Sequence, residues 1–201
     1  MEEIQAIIKL KHGDVDGLAT LANHYYLQAV RAAYLVLQDH DLAEDVVQTS
    51  FVSLISKITQ FDETKPFRPW FLRSVINNSI SVCRQSKSTV SLDQVNDDHY
   101  LGQLLNLSDE EYSLEDAFIT TEIRTVVWHA LEQLTPQQRA AVVLRYYLEL
   151  SENELTEELQ RPKSTIKWLL FSARRKLRQL LAPLQHDDVL SDTIPNQEKP
   201  I

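Results

Sequence analysis

Apolar positions in this chain recur at three- and four-residue spacing almost from end to end, and alternation of the kind a strand needs is scarce. Ile4–Lys11 reads as a short helix stopped at Gly13. Asp14 then caps a long second helix whose apolar stripe includes Leu18, Leu21, Ala22, Tyr25, Ala29 and Ala32. Asp41, with Glu44 three residues on, is a capping pair that opens a third helix from Leu42 to about Phe61. After the polar turn at 61–66, Pro66 and Pro69 bracket the entry to a fourth helix from about Trp70 to Lys87.

The periodicity fades over 88–112, where Ser, Asn and Asp cluster, and it resumes when Ser113 and Asp116 open a second helical unit. Thr135-Pro136-Gln137-Gln138 combines a cap, a first-turn proline and a capping-box glutamine, and Ser151 with Glu154 repeats the device. Pro162 interrupts, and a last helix runs from about Ser164 to Leu181. The pattern therefore predicts an all-α chain of two small helical domains, at 1–88 and 113–184. They are joined by a flexible acidic linker at 89–112 and followed by a disordered acidic tail at 185–201.

The final pair of helices has helix-turn-helix spacing: a short helix at Glu152–Leu159, a tight break at Gln160–Lys163, then a longer basic helix. On the longer one, Ile166, Leu170, Ala173, Leu177 and Leu180 repeat at helical period and are expected to face the core. Lys167, Phe171, Arg174 and Arg178 make a second stripe, and Trp168, Ser172 and Arg175 a third. Those outward stripes suit a major groove.

The formal net charge of −9 would argue against nucleic acid if it were spread evenly. It is not. Residues 89–118 carry eight acids and no base, whereas 161–178 carry seven bases and no acid. From Pro66 to Ser88 there are four bases and no acid. Local basic faces beside an acidic connector are the asymmetry that matters for binding phosphates.

Catalysis finds little support. There is no phosphate loop, the six histidines show no ligand spacing, and Cys83 has no evident base, so no enzyme activity, metal or cofactor is expected. A single cysteine excludes an internal disulfide and fits a reducing compartment. With no signal peptide and no apolar run of membrane-spanning length, the expectation is a cytoplasmic protein without membrane insertion.

Four segments carry a resemblance. Asp41-Leu-Ala-Glu-Asp-Val-Val-Gln-Thr-Ser-Phe51 resembles the region 2 helix with which sigma factors hold the polymerase clamp. Phe67-Arg-Pro-Trp-Phe-Leu-Arg-Ser-Val-Ile-Asn-Asn78 is similar to the promoter-melting helix that follows it. Leu131–Arg145 and Ser164–Leu177 look like region 4. In this order they resemble a sigma factor of the sigma-70 family with regions 2 and 4 only, the extracytoplasmic-function (ECF) class. The implied domains are a region 2 bundle at 1–88 and a region 4 helix-turn-helix at 113–184.

The resemblance implies partners and sites. The partners are core RNA polymerase, through its clamp and flap, promoter DNA and an anti-sigma factor. Polymerase contacts fall on Glu44, Asp45, Val47, Gln48 and Phe51. Composition alone would put Val46, Phe51 and Leu54 in the core; the place of Glu-Asp-Val-Val-Gln before the melting helix favours docking. Melting contacts fall on Trp70, Arg73, Asn77 and Arg84, with Ser81 on the same stripe and the loop Asp62–Phe67 as the wall of a base pocket. An unstacked base wants an aromatic face, an amide for its edge and cations for phosphates.

Recognition-helix contacts fall on Lys163, Ser164, Thr165, Lys167, Trp168, Phe171, Ser172, Arg174 and Arg175. This helix departs from the family pattern, with Ser164 where a glycine is common, Trp168-Leu169 for Ser-Arg and Ser172 for Arg. Trp168 and Leu169 either meet thymine methyls or widen the core face. A stand-alone helix-turn-helix regulator and a sigma-like decoy or adaptor that binds an anti-sigma factor are the alternatives. The first leaves residues 1–88 without purpose. The second would favour an eroded Trp70/Asn77 stripe, which is intact.

Overall fold

The structure, a computed structural model, describes residues 2–86, 123 and 125–182, and every element among them is helical. The expected linker, the start of the second unit at 113 and the tail lie outside the described residues.

Helix α1 (Glu2–Lys11) ends at Gly13, whose φ of 85° turns the chain back. Helix α2 (Asp16–Leu37) then packs against it so closely that a Cβ at Gly17 would lie 2.3 Å from the Ala6 carbonyl. Only glycine permits that approach. Asp14, expected as the cap, stands one residue too early: Val15 holds the cap position, and Asp14 accepts the Asp16 amide at 3.0 Å from the turn before it.

Helix α3 (His40–Lys57) starts two residues before the expected site. Its cap is Asp39, which accepts the Leu42 amide at 3.0 Å; Asp41 stands in the first turn with its side chain in solvent. Gln38, at a φ of 63°, closes α2 in the left-handed region, so extended Asp39 is already in the cap position. A short 3₁₀ turn, Ile58–Gln60, completes α3. Helix α4 (Phe67–Ser86) lays Phe67, Phe71, Leu72, Val75 and Ile76 against α2 and α3.

The second unit comprises α5 (125–132), α6 (Pro136–Val142), α7 (Glu152–Glu158) and α8 (Lys163–Leu180). Both expected capping boxes are formed, Thr135 with Gln138 and Ser151 with Glu154. Helix α6 runs on into one π turn at Val143–Tyr147, and Gln160 makes the α7–α8 break at a φ of 49°. On α8 the core face holds Ile166, Leu169, Leu170 and Ala173. Leu169 joins it, whereas Leu180, expected inside, is the last residue of the helix and is exposed. No described helix is long and apolar enough to cross a membrane.

The two units share one apolar core. Tyr34 of α2 stacks on Trp128 of α5 at 4.3 Å, and Leu35 packs on the Leu131, Leu134, Val142 and Ala173 cluster. Arg139 of α6 is buried at this junction and donates to the carbonyls of Val36 (2.8 Å) and Leu134 (3.0 Å).

Candidate nucleic-acid and polymerase interfaces

Three faces follow from these helices. Phase decides which residues of α3 look outward. Val47 and Phe51 do not: both are buried, Phe51 against the ring of Phe71 at 4.6 Å. This corrects the expectation that they meet a partner; the core reading from composition, which named Val46, Phe51 and Leu54, fits their burial, and it did not name Val47. Glu44 is half-buried, accepting from the Tyr26 hydroxyl at 3.2 Å and lying 3.5 Å from His40. Asp45 and Gln48 are exposed, and their stripe continues through Val52 and Ile55. The exposed face of α3 is thus acidic at one end and apolar at the other. Extending Asp45 and Gln48 by helical steps would have found Val52 and Ile55 in the sequence.

On α4, Trp70 is half-buried, its ring 4.9 Å from Phe61 and 5.8 Å from Phe67. It is both a core anchor and a partly open aromatic face. Arg73 and Asn77 follow at one and two turns, half-buried, and Ser81 and Arg84 lie exposed beyond. The wall beside Trp70 is a braced loop. Lys11 of α1 donates to the Phe61 carbonyl (2.8 Å) and to Glu63 (2.7 Å). Within the loop, the Thr64 hydroxyl and amide both donate to Asp62 and hold its carboxyl below the usual range. Nothing local in the sequence marks Lys11 for this task, since its partners are fifty residues away.

On α8, Lys163, Ser164, Lys167, Trp168, Phe171, Arg174 and Arg175 are exposed, Thr165 is half-buried and Arg178 extends the stripe. Trp168 and Phe171 are about 60% exposed, an unusual display of aromatic surface among cations. Three expected contacts are engaged within the chain. Lys163 donates to Asn153 at 2.9 Å, the Ser172 hydroxyl is held by Gln138 at 2.9 Å, and Arg174 donates its Nε–H to the Leu170 carbonyl at 3.3 Å while its side chain stays exposed. Ser172 therefore fastens α8 to α6 and offers little to a groove. A cleft of about 330 Å³ separates the end of α4 from α6 and α8, lined by Ile80, Cys83, Arg84, Gln138, Trp168 and Leu169.

The α4 and α8 faces do not act as one surface here. Arg73 pairs with Glu154 of α7 at 3.1 Å, and Asn77 donates to Glu158 at 2.5 Å.

Family models match the chain twice, "Sigma-70 region 2" over residues 21–89 and "Sigma-70, region 4" over 124–177. Among curated relatives, the chain is 28% identical to the ECF RNA polymerase sigma factor SigW of Bacillus subtilis, over 89% of this chain and 96% of that protein. It is 26% identical to SigM of the same organism, over 78% of this chain and 90% of the relative. Its fold resembles that of the sigma factor RpoE of Bartonella quintana, solved with the anti-sigma factor NepR. That match has a TM-score of 0.55 at 21% identity and covers 81% of this chain and 96% of the other.

Proposed function

We infer how this chain works from one premise: it belongs to the sigma-70 family, in its ECF class, and is a sigma factor that serves core RNA polymerase at promoter DNA. Sigma factors are not enzymes, so its work lies in its surfaces.

The unit at 1–88 holds the polymerase clamp through the α3 face of Asp45, Gln48, Val52 and Ile55, with Glu44 at its margin. It then opens DNA with α4. There Asn77 reads the edge of an unstacked base, Trp70 offers its open face at the strand junction, and Arg73 and Arg84 meet phosphates. The unit at 113–184 reaches the flap and places α8 in the major groove of the upstream element. Lys167, Arg174 and Arg175 neutralise phosphates there, and Trp168 and Phe171 touch thymine methyls. The linker at 89–112 lets the two units span both elements. The compartment is the cytoplasm, and an anti-sigma factor of the kind that holds the Bartonella relative is its controlling partner.

One observation carries this reading: two family segments in order, each with a run of sequence that holds several bases and no acid, at 66–88 and 161–178. Run-off transcription with core polymerase and genomic fragments is the test. Addition of the chain should give discrete new transcripts. Specific binding of duplex DNA by the chain alone, with no effect on core polymerase, would replace this reading with a stand-alone regulator.

A further inference from the structure

We propose that the acidic face of α7 is an internal ligand for the α4 stripe, so that the free chain latches its own melting surface shut. The proposal rests on the reading of α4 as that surface and goes beyond it.

The geometry is a register. Glu154 and Glu158 stand one turn apart on α7, and Arg73 and Asn77 stand one turn apart on α4. Each pair spans the same 81 residues of chain, so the two helices run side by side in the same direction and meet turn for turn. The carboxylates occupy the donors that single-stranded DNA would need. Asn77 spends its amide N–H on Glu158, where a base-edge acceptor would otherwise sit. Arg73 spends a guanidinium N–H on Glu154, where a phosphate oxygen would otherwise sit. A strand reaching α4 must first displace both glutamates.

The contact is built to open. The Arg73 and Glu154 side chains are 30% and 46% exposed, so their pair is weak and salt-screened. Beside it lie Arg68 of α4, 5.4 Å over the ring of Tyr147, and the stack of Tyr34 on Trp128. Spreading the units across the two promoter elements breaks all of these contacts together. Melting capability thus appears only once the chain is seated on polymerase.

The chain carries its own reporter. Cys83, its only cysteine, lines the cleft between α4 and the second unit. Cys83 is half-buried there, so parting of the units should raise its rate of labelling by a maleimide above that of the closed chain. The test compares the full chain with a Glu154→Gln/Glu158→Ala variant, in which glutamine keeps the capping box. The variant should label Cys83 about fivefold faster and bind a mixed-sequence single-stranded oligonucleotide about fivefold more tightly, as a larger open fraction requires. Salt should speed labelling of the parent chain and leave the variant nearly unchanged. An unchanged labelling rate in a variant that melts like its parent overturns the latch. Faster labelling without tighter DNA binding overturns its occluding role. If the double variant does not fold, Glu158→Ala alone is read by the same two measurements. Failure of run-off transcription by the parent chain would sink the sigma reading instead, whatever Cys83 does.

Discussion

Arg139 is a charged side chain in an apolar place. Burial pushes its guanidinium pKa down, yet the group still donates to two carbonyls, one of them at the end of α2. Replacing it with methionine fills the space and leaves the Val36 and Leu134 carbonyls short of a donor. Arg139→Met should lower stability by about 2 kcal/mol in urea unfolding, the usual cost of losing hydrogen bonds to a buried charged group. The residue scale is also where the sequence misled. Periodicity placed Val47 and Phe51 on a plausible stripe but could not give the phase of α3, because Glu44 and Asp45 differ by only 100° around a helix of this type. Asp45 is out and Glu44 half in. The cap moved for a related reason. Asp39 and Asp41 are equivalent by residue type, and the left-handed Gln38 that selects Asp39 has no signature in the sequence.

Elements were more legible than residues. Capping boxes at Thr135 and Ser151 are local chemistry, with partner and cap three residues apart, so sequence order sets their geometry. The amphipathic period of α8 likewise placed Ile166, Leu170 and Ala173 inside and its cations outside. A sharp separation of roles on α8 follows. Lys167→Ala and Arg174→Ala should each lower the salt dependence of duplex promoter binding by holoenzyme by about one unit of log–log slope. Trp168→Ala should reduce affinity with the slope unchanged, since a ring displaces no counterions. Filter binding over a salt series reads both. A slope unaltered by Lys167→Ala would remove that residue from the phosphate contacts.

At the scale of the molecule, little was legible. Composition marked two helical units and an acidic stretch between them, but no local rule foretells a contact 81 or 103 residues away. The stripe of Arg73 and Asn77 looked fully available in the sequence; in the folded chain it is occupied. Low pH bears on that occupation through Glu154, whose carboxyl is held below its ordinary range first by the Ser151 amide and then by the Ser151 hydroxyl. A depressed carboxyl contributes its stabilisation above the unfolded value and loses it as pH falls through the lower folded one. The capping box, and the charge that faces Arg73, therefore persist through the mildly acidic range.

The three tryptophans stand in three different places: Trp70 beside Phe61 and the loop that follows it, Trp128 between the units, Trp168 on the exposed face of α8. Their surroundings differ as much as their tasks, from a buried ring stacked on tyrosine to one open to water. The protein is in this sense its own spectrometer, with a separate colour for each step. In a Trp70→Phe/Trp168→Phe variant, emission should begin blue, from Trp128 alone, and move to longer wavelengths when saturating core polymerase draws the units apart. Emission that stays blue would mean that the stack of Tyr34 on Trp128 survives into the holoenzyme. Keeping Trp168 instead follows the opposite course, from red toward blue, as DNA closes over an indole that the free chain leaves in water.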